Sequence, residues 1–241
     1  RVPPLAPALV AWDPWRGDFW IGDGAAVSLG GGAPVSIPGG LQAMGAAPAG
    51  LVALGGALSL VQGGAARPLA DDLDTALVLP ARAGDGRLLA VGSMGGAERA
   101  RLWSAAALEA AAGPTLEAAL PGFALQGAFV DGEPWVTWLD PSTFEARAAR
   151  IGPSGELLDE VAGFVPDGLR SPNGRTVVVA EPGLLGGGLT ALRVVALEPA
   201  AGFPTVDRIE LPAPAVGLAF DDTGERLFVV TRAPDQVLAL E

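Results

Sequence analysis

The sequence predicts an all-β protein, a six-bladed β-propeller of four-stranded antiparallel blades closed by its N-terminal strand. Three observations predict it. First, 35 glycines and 22 prolines cut a chain that is 50% hydrophobic into short apolar runs bounded by turn residues, the pattern of many short strands rather than of helices. Second, turn glycines at positions 17, 50, 86, 132, 174 and 224 recur about every 41 residues, a spacing within the range of four-stranded blades. Third, the last repeat has three strands, and Arg1–Leu5 precedes the first repeat without one of its own. Adding that segment to the last blade would pair an exposed edge and close the seam.

The predicted elements follow the chain as one domain, residues 1–241, with blades near 9–37, 41–69, 75–120, 124–162, 165–211 and 216–241 plus 1–5. The first blade takes Leu9–Trp12, Asp18–Gly22 after the WDPWRG turn, Ala25–Leu29 and Pro34–Ile37. The second takes Leu41–Met44, Leu51–Leu54, Leu58–Val61 and a short strand near Arg67–Leu69. The third takes Thr75–Leu79, Arg87–Gly92, Arg99–Ser104 and Leu116–Leu120; the alanine-rich WSAAALEAAA from Trp103 to Ala112 favours a short helix inside it. The fourth takes Ala124–Phe129, Pro134–Leu139, Phe144–Ile151 and Leu157–Ala162. The fifth takes Val165–Arg170, Arg175–Ala180, Thr190–Leu197 and Val206–Leu211.

The clearest copy comes last. In AVGLAFDDTGERLFVVTRAPDQVLAL, Val216–Phe220 meets the turn signal Asp221, Asp222, Thr223, Gly224, then Leu227–Thr231 follows, and Val237–Leu240 comes after Ala233, Pro234, Asp235. Pro3 and Pro4 suit the outermost strand of a sheet, where a missing N–H costs little.

Composition narrows the chemistry. Cysteine, histidine, lysine and tyrosine are absent and every basic residue is arginine. Disulfides, thiolate and imidazole metal sites, Schiff bases and the usual triads are therefore excluded, and catalysis would draw mainly on carboxylates and arginine. The Ala, Gly, Pro and Arg bias is that of a GC-rich bacterial genome. A net charge of -12 without any basic run opposes nucleic acid and anionic lipid as partners. No apolar stretch is long enough for a membrane span. The chain starts at Arg1 without a signal-like segment, which leaves room for a removed export signal or lipid anchor and an expected periplasmic, cell-envelope or secreted location.

AFDDTG, LFVVT and QVLALE in the last repeat, and SPNGRTVVVAEP from Ser171 to Pro182, resemble the bacterial YVTN and WD-like β-propeller repeats; in outline the architecture resembles TolB-like, NHL-like and lactonase-like propellers. The resemblance implies that one face of the ring gathers the connections between blades and the second turn of each blade, and that ligands dock there. On that face stand Asp71, Asp72 and Asp74 in ADDLDT, with Asp167, Glu181 and Asp140 elsewhere. Calcium-dependent lactonase-like propellers use such carboxylates, so Asp71, Asp72, Asp74 and Asp167 are the candidate calcium ligands. The loop EPGLLGGG, with Glu181, Leu184 and Leu185, is the candidate contact for a protein partner. The six tryptophans at positions 12, 15, 20, 103, 135 and 138 are expected mainly in packing.

Two functions compete. Depletion of catalytic residue types favours a non-enzymatic interaction scaffold of the cell envelope without a cofactor. The alternative is a calcium-dependent hydrolase resembling the lactonase-like propellers.

Overall fold

A computed structural model describes residues 9–13, 15–73, 81–82, 85–166, 168–171, 174–182, 189–221, 223, 225–231 and 236–240. Strand alternates with turn throughout, and in each sheet the strands lie in the order in which they occur in the chain. Sheet 1 comprises β1 (Leu9–Asp13), β2 (Asp18–Gly22), β3 (Ala26–Leu29) and β4 (Val35–Ser36). Sheet 2 comprises β5 (Ala43–Ala47), β6 (Gly50–Leu54), β7 (Leu58–Gln62) and β8 (Ala65–Ala70). Sheet 3 comprises β9 (Ala81–Arg82), β10 (Leu88–Met94), β11 (Ala97–Trp103) and β12 (Leu116–Ala119). Sheet 4 comprises β13 (Phe123–Val130), β14 (Glu133–Leu139), β15 (Ala146–Ile151) and β16 (Leu157–Ala162).

Those strands belong to a compact unit running to Glu160, and a second unit starts at Val161. The second holds sheet 5, with β17 (Leu169–Arg170), β18 (Thr176–Pro182), β19 (Leu189–Ala196) and β20 (Thr205–Glu210), and sheet 6, with β21 (Ala215–Phe220), β22 (Leu227–Thr231) and β23 (Gln236–Leu240).

The local chemistry explains the hairpins. Gly63–Gly64, Gly95–Gly96 and Asp131–Gly132 each join two strands by two residues with positive φ, the geometry that matches strand twist and that glycine adopts without strain. The alanine-rich stretch is a short helix, α1 (Ala105–Glu109), whose start is capped by Ser104 Oγ accepting from Ala107 N at 3.2 Å.

The first unit's cores lie between successive sheets. Leu51, Ala53 and Val61 meet Trp20, Val27 and Ile37; Val52, Leu58 and Leu60 meet Leu88, Met94 and Trp103; Leu89 and Val91 meet Val136, Trp138 and Ala149. In the second unit Val178 and Leu192 meet Leu227 and Val229. β6 and the centre of β14 are buried at every position, which is why β6 reads as an unbroken apolar run and β14 as one interrupted only by the buried Thr137. Trp20, Trp103, Trp135 and Trp138 are buried, whereas Trp15 is 46% exposed.

The predicted closure is corrected by the strand pairing. Among the described residues the chain forms six separate antiparallel sheets, five of four strands and one of three, and none closes on itself or pairs with another. Each strand pairs with its neighbour in the chain, so the ladder hydrogen bonds stay inside each repeat and the outermost strands keep one unpaired edge. Sheet 6 ends at β23 with three strands, and the expected clasp at residues 1–5 lies outside the described residues. Among the described residues the strand pairing gives six open sheets and does not form the closed six-bladed β-propeller expected.

Candidate functional site

A half-open cleft of about 270 Å³ lies in the first unit, walled by Trp20, Leu29, Val35 and Val61, with Arg16 and Gln62 as its polar side chains. Its floor is a consequence of the turn between β1 and β2. Asp13 ends β1 and folds its carboxylate back over the turn, accepting from Trp15 N and Arg16 N, both at 3.1 Å, with Oδ1. The other oxygen, Oδ2, accepts from Trp20 Nε1 and Arg16 Nη1, both at 2.8 Å. Asp13 is wholly buried. Burial alone would push its pKa upward, but the bonds from Trp20 and Arg16 outweigh it and hold the carboxyl below its ordinary range.

Arg16 is thereby aimed. Its Nη1 also donates to Ala47 O at 3.3 Å and its Nη2 to Pro48 O at 3.1 Å, tying the sheet 1 turn to the β5–β6 turn of sheet 2. The cleft rim is built from Gly32, Ala33 and the Gly63–Gly64 hairpin. None of these residues stood out in the sequence reading. WDPWRGDFW carried the signal, an aspartate at a turn start flanked by two tryptophans and an arginine.

Of the four carboxylates expected at a calcium site, Asp71 and Asp72 lie among the described residues. Asp72 is gripped by Arg101, whose Nη1 and Nη2 donate to its two oxygens at 2.5 and 2.7 Å. Arg101 Nε donates to Glu117 Oε2 at 2.6 Å, and Arg99 Nη1 pairs with the other oxygen of Glu117. The hydrogen bond from Arg101 holds both Asp72 and Glu117 below the usual carboxylate range. Asp71 is exposed. Asp74 and Asp167 lie outside the described residues.

Calcium takes six to eight oxygens, several from free carboxylates. Both oxygens of Asp72 are committed to a guanidinium, and among the described residues no three acidic side chains converge on one point. Asp140 closes its own loop instead: its Oδ1 accepts from Ser142 N at 2.8 Å and Ser142 Oγ at 2.6 Å.

Of the partner candidates, Glu181 alone lies among the described residues. Glu181 lies on β18 rather than in a loop, paired with Arg193 at 2.7 Å and Arg208 at 3.4 Å in its own sheet. Leu184 and Leu185 lie outside the described residues. Among the described residues no helix is long and apolar enough to cross a membrane.

No protein-family model matches the sequence, and no curated protein matches it at significant similarity. Solved structures do share its fold. Hydrazine synthase of Kuenenia stuttgartiensis matches with a TM-score of 0.60 at 11% identity, over 96% of this chain and 82% of that one. The periplasmic gluconolactonase of Pseudomonas aeruginosa matches at 0.52 and 15%, over 98% and 84%. A Bacteroides uniformis protein provisionally designated a 6-phosphogluconolactonase matches at 0.59 and 12%, over 94% and 78%.

These likenesses run against two expectations and leave a third without support. The fold is shared with lactonases and a synthase rather than assigned to the YVTN and WD-like repeats, whose marks were turn residues and short apolar strands common to antiparallel hairpins. The leaning toward a non-enzymatic binding scaffold is corrected, because the similar structures carry the names of enzymes. They also come from three different bacteria, so they lend no support to a GC-rich source.

Proposed function

We propose that the chain is a hydrolytic enzyme opening the ring of a small lactone. The observation that carries this reading is the likeness in fold, over 98% and 94% of the chain, to a gluconolactonase and a protein designated a phosphogluconolactonase. Composition agrees with it. Lactone hydrolysis asks for a base to take a proton from water and a donor to hold the carbonyl oxygen as it gains charge. Here those roles fall to a carboxylate and an arginine, the ionisable groups that the sequence retains.

Asp71 is the carboxylate proposed as base. It is exposed, and it follows β8 directly, next to the Asp72–Arg101 pair that stiffens the connection. Asp72, with both oxygens occupied, serves position rather than proton transfer. An extracytoplasmic setting is supported by the periplasmic character of the Pseudomonas lactonase.

Acid release from glucono-δ-lactone, followed at constant pH against the spontaneous rate, tests the reading. The protein is expected to accelerate opening, and Asp71→Asn to reduce the enzymatic rate by about 100-fold or more. A rate equal to that of buffer alone overturns the proposal. Full activity in Asp71→Asn overturns the assignment of the base.

A further inference from the structure

The cleft beside Trp20 has a chemistry that the lactonase reading does not use. Asp13 cannot act as a base in it, because both its oxygens already accept two hydrogen bonds each and its side chain is closed to solvent. Arg16 is only partly spent. A guanidinium carries five N–H donors, and the bonds to Asp13, Ala47 and Pro48 use three of them. Among the described residues the Nε proton and one Nη2 proton remain, on a side chain that is 30% exposed and lines the cavity.

Two neighbouring donors on a rigid planar group match the two oxygens of a carboxylate. The guanidinium is held still by three acceptors, so little side-chain entropy is left to lose on binding. Gln62, half-buried at the rim and without a partner among the described residues, adds an amide. The remaining walls, Trp20, Leu29, Val35 and Val61, are apolar. At about 270 Å³ the cavity falls just below the usual range for drug-sized ligands and suits something smaller.

We infer that this cleft is a recognition site for a small carboxylate carried on an apolar body about the size of one six-membered ring. The carboxylate meets the free Nε and Nη2 donors of Arg16, and the ring lies against Trp20, Leu29, Val35 and Val61. The apolar walls select against a polyol, and the two-donor edge selects against a neutral ligand. The inference rests on the cleft alone and holds whether or not the protein opens lactones.

Calorimetric titration with benzoate and with cyclohexanecarboxylate tests it, alongside benzamide, gluconate and inorganic phosphate. Saturable binding of both carboxylates is expected, at least tenfold tighter than benzamide, gluconate or phosphate. Raising salt should weaken it. Ala33→Trp fills the mouth from an exposed position outside the core and should weaken benzoate binding at least tenfold with an unchanged melting temperature. The indole N–H resonance of Trp20 in the unaltered protein provides a second reading, expected to shift with the same saturation.

Benzamide or phosphate binding as tightly as benzoate overturns the inference. So does tighter gluconate binding, undiminished binding in Ala33→Trp, or a Trp20 signal that stays still at saturation. Because binding is read without turnover, an inert lactone assay and a flat titration are separate failures.

Discussion

Arg101 and Glu117 stand directly opposite each other on β11 and β12, and the same guanidinium reaches past its own sheet to clasp Asp72 beyond β8. Sheet 3 and the end of sheet 2 are thus joined by one cation between two carboxylates. The hydrogen bonds to Asp72 and Glu117 raise the pKa of Arg101, so the charge is permanent in the working range. Geometry of this kind, bidentate and networked, is the sort of surface-proximal pairing that contributes measurably to stability.

The pairing makes stability depend on acid. The pKa values of Asp72, Glu117 and Asp13 are lowered in the folded protein, so the unfolded chain binds protons more readily than the folded one. Their contribution is present above their unfolded values, about 4, and is lost as pH falls through the lowered folded values. Melting temperature should fall steadily below about pH 4. Arg101→Met should unfold about 1 to 2 kcal/mol more easily at pH 7, a figure kept modest because water screens the exposed edge of Asp72. It should also show a shallower dependence on acid; an identical slope would remove the pairing as its cause.

Asp13→Asn is expected to cost about 2 to 4 kcal/mol in denaturant unfolding. The amide nitrogen would face N–H groups where an oxygen now accepts from Trp20 and Arg16, or from the turn backbone. Unchanged unfolding would show that the buried carboxylate is not what fastens this turn.

Gly39→Ala should be far worse than Gly63→Ala. Both positions have positive φ, +79° and +59°. A Cβ at Gly39 would collide with the backbone of Gly56, while at Gly63 it meets nothing within 4 Å. Conformational strain alone predicts about 1 kcal/mol at Gly63, and the collision should raise the loss at Gly39 to 2 kcal/mol or more. Equal midpoints for the two variants would refute the close approach of sheets 1 and 2 at this point.

Phe144 is held at φ 57° with its ring 73% exposed. Little packing compensates for the left-handed backbone. Phe144→Asn, whose short polar side chain tolerates that region, should stabilise the protein by about 0.5 to 1 kcal/mol. A loss of stability on thermal unfolding would mean that the ring makes a contact worth more than the strain.

Much of the strand pattern was legible because it is local. Apolar runs of four to seven residues between Gly-Gly, Asp-Gly and Asn-Gly pairs can form little besides hairpins, and α1 followed from its alanines. The candidate site was far less legible. ADDLDT looks like a cation site when its aspartates are read together, but Arg101, 29 residues beyond Asp72, takes the middle one. The Trp20 cleft gathers Arg16 from the β1–β2 turn, Val35 from β4 and Gln62 from the end of β7, and no spacing rule connects them.

By itself the sequence determined the all-β class, the antiparallel order within each sheet and the restriction of chemistry to carboxylate and arginine. Those properties depend on residue type and on neighbours a few positions away. Which aspartate is free, which arginine keeps donors to spare, and whether the sheets join were decided only in three dimensions. Ion pairing and burial depend on distances between residues far apart in the chain, and a short apolar strand pairs equally well in a ring or in an open sheet.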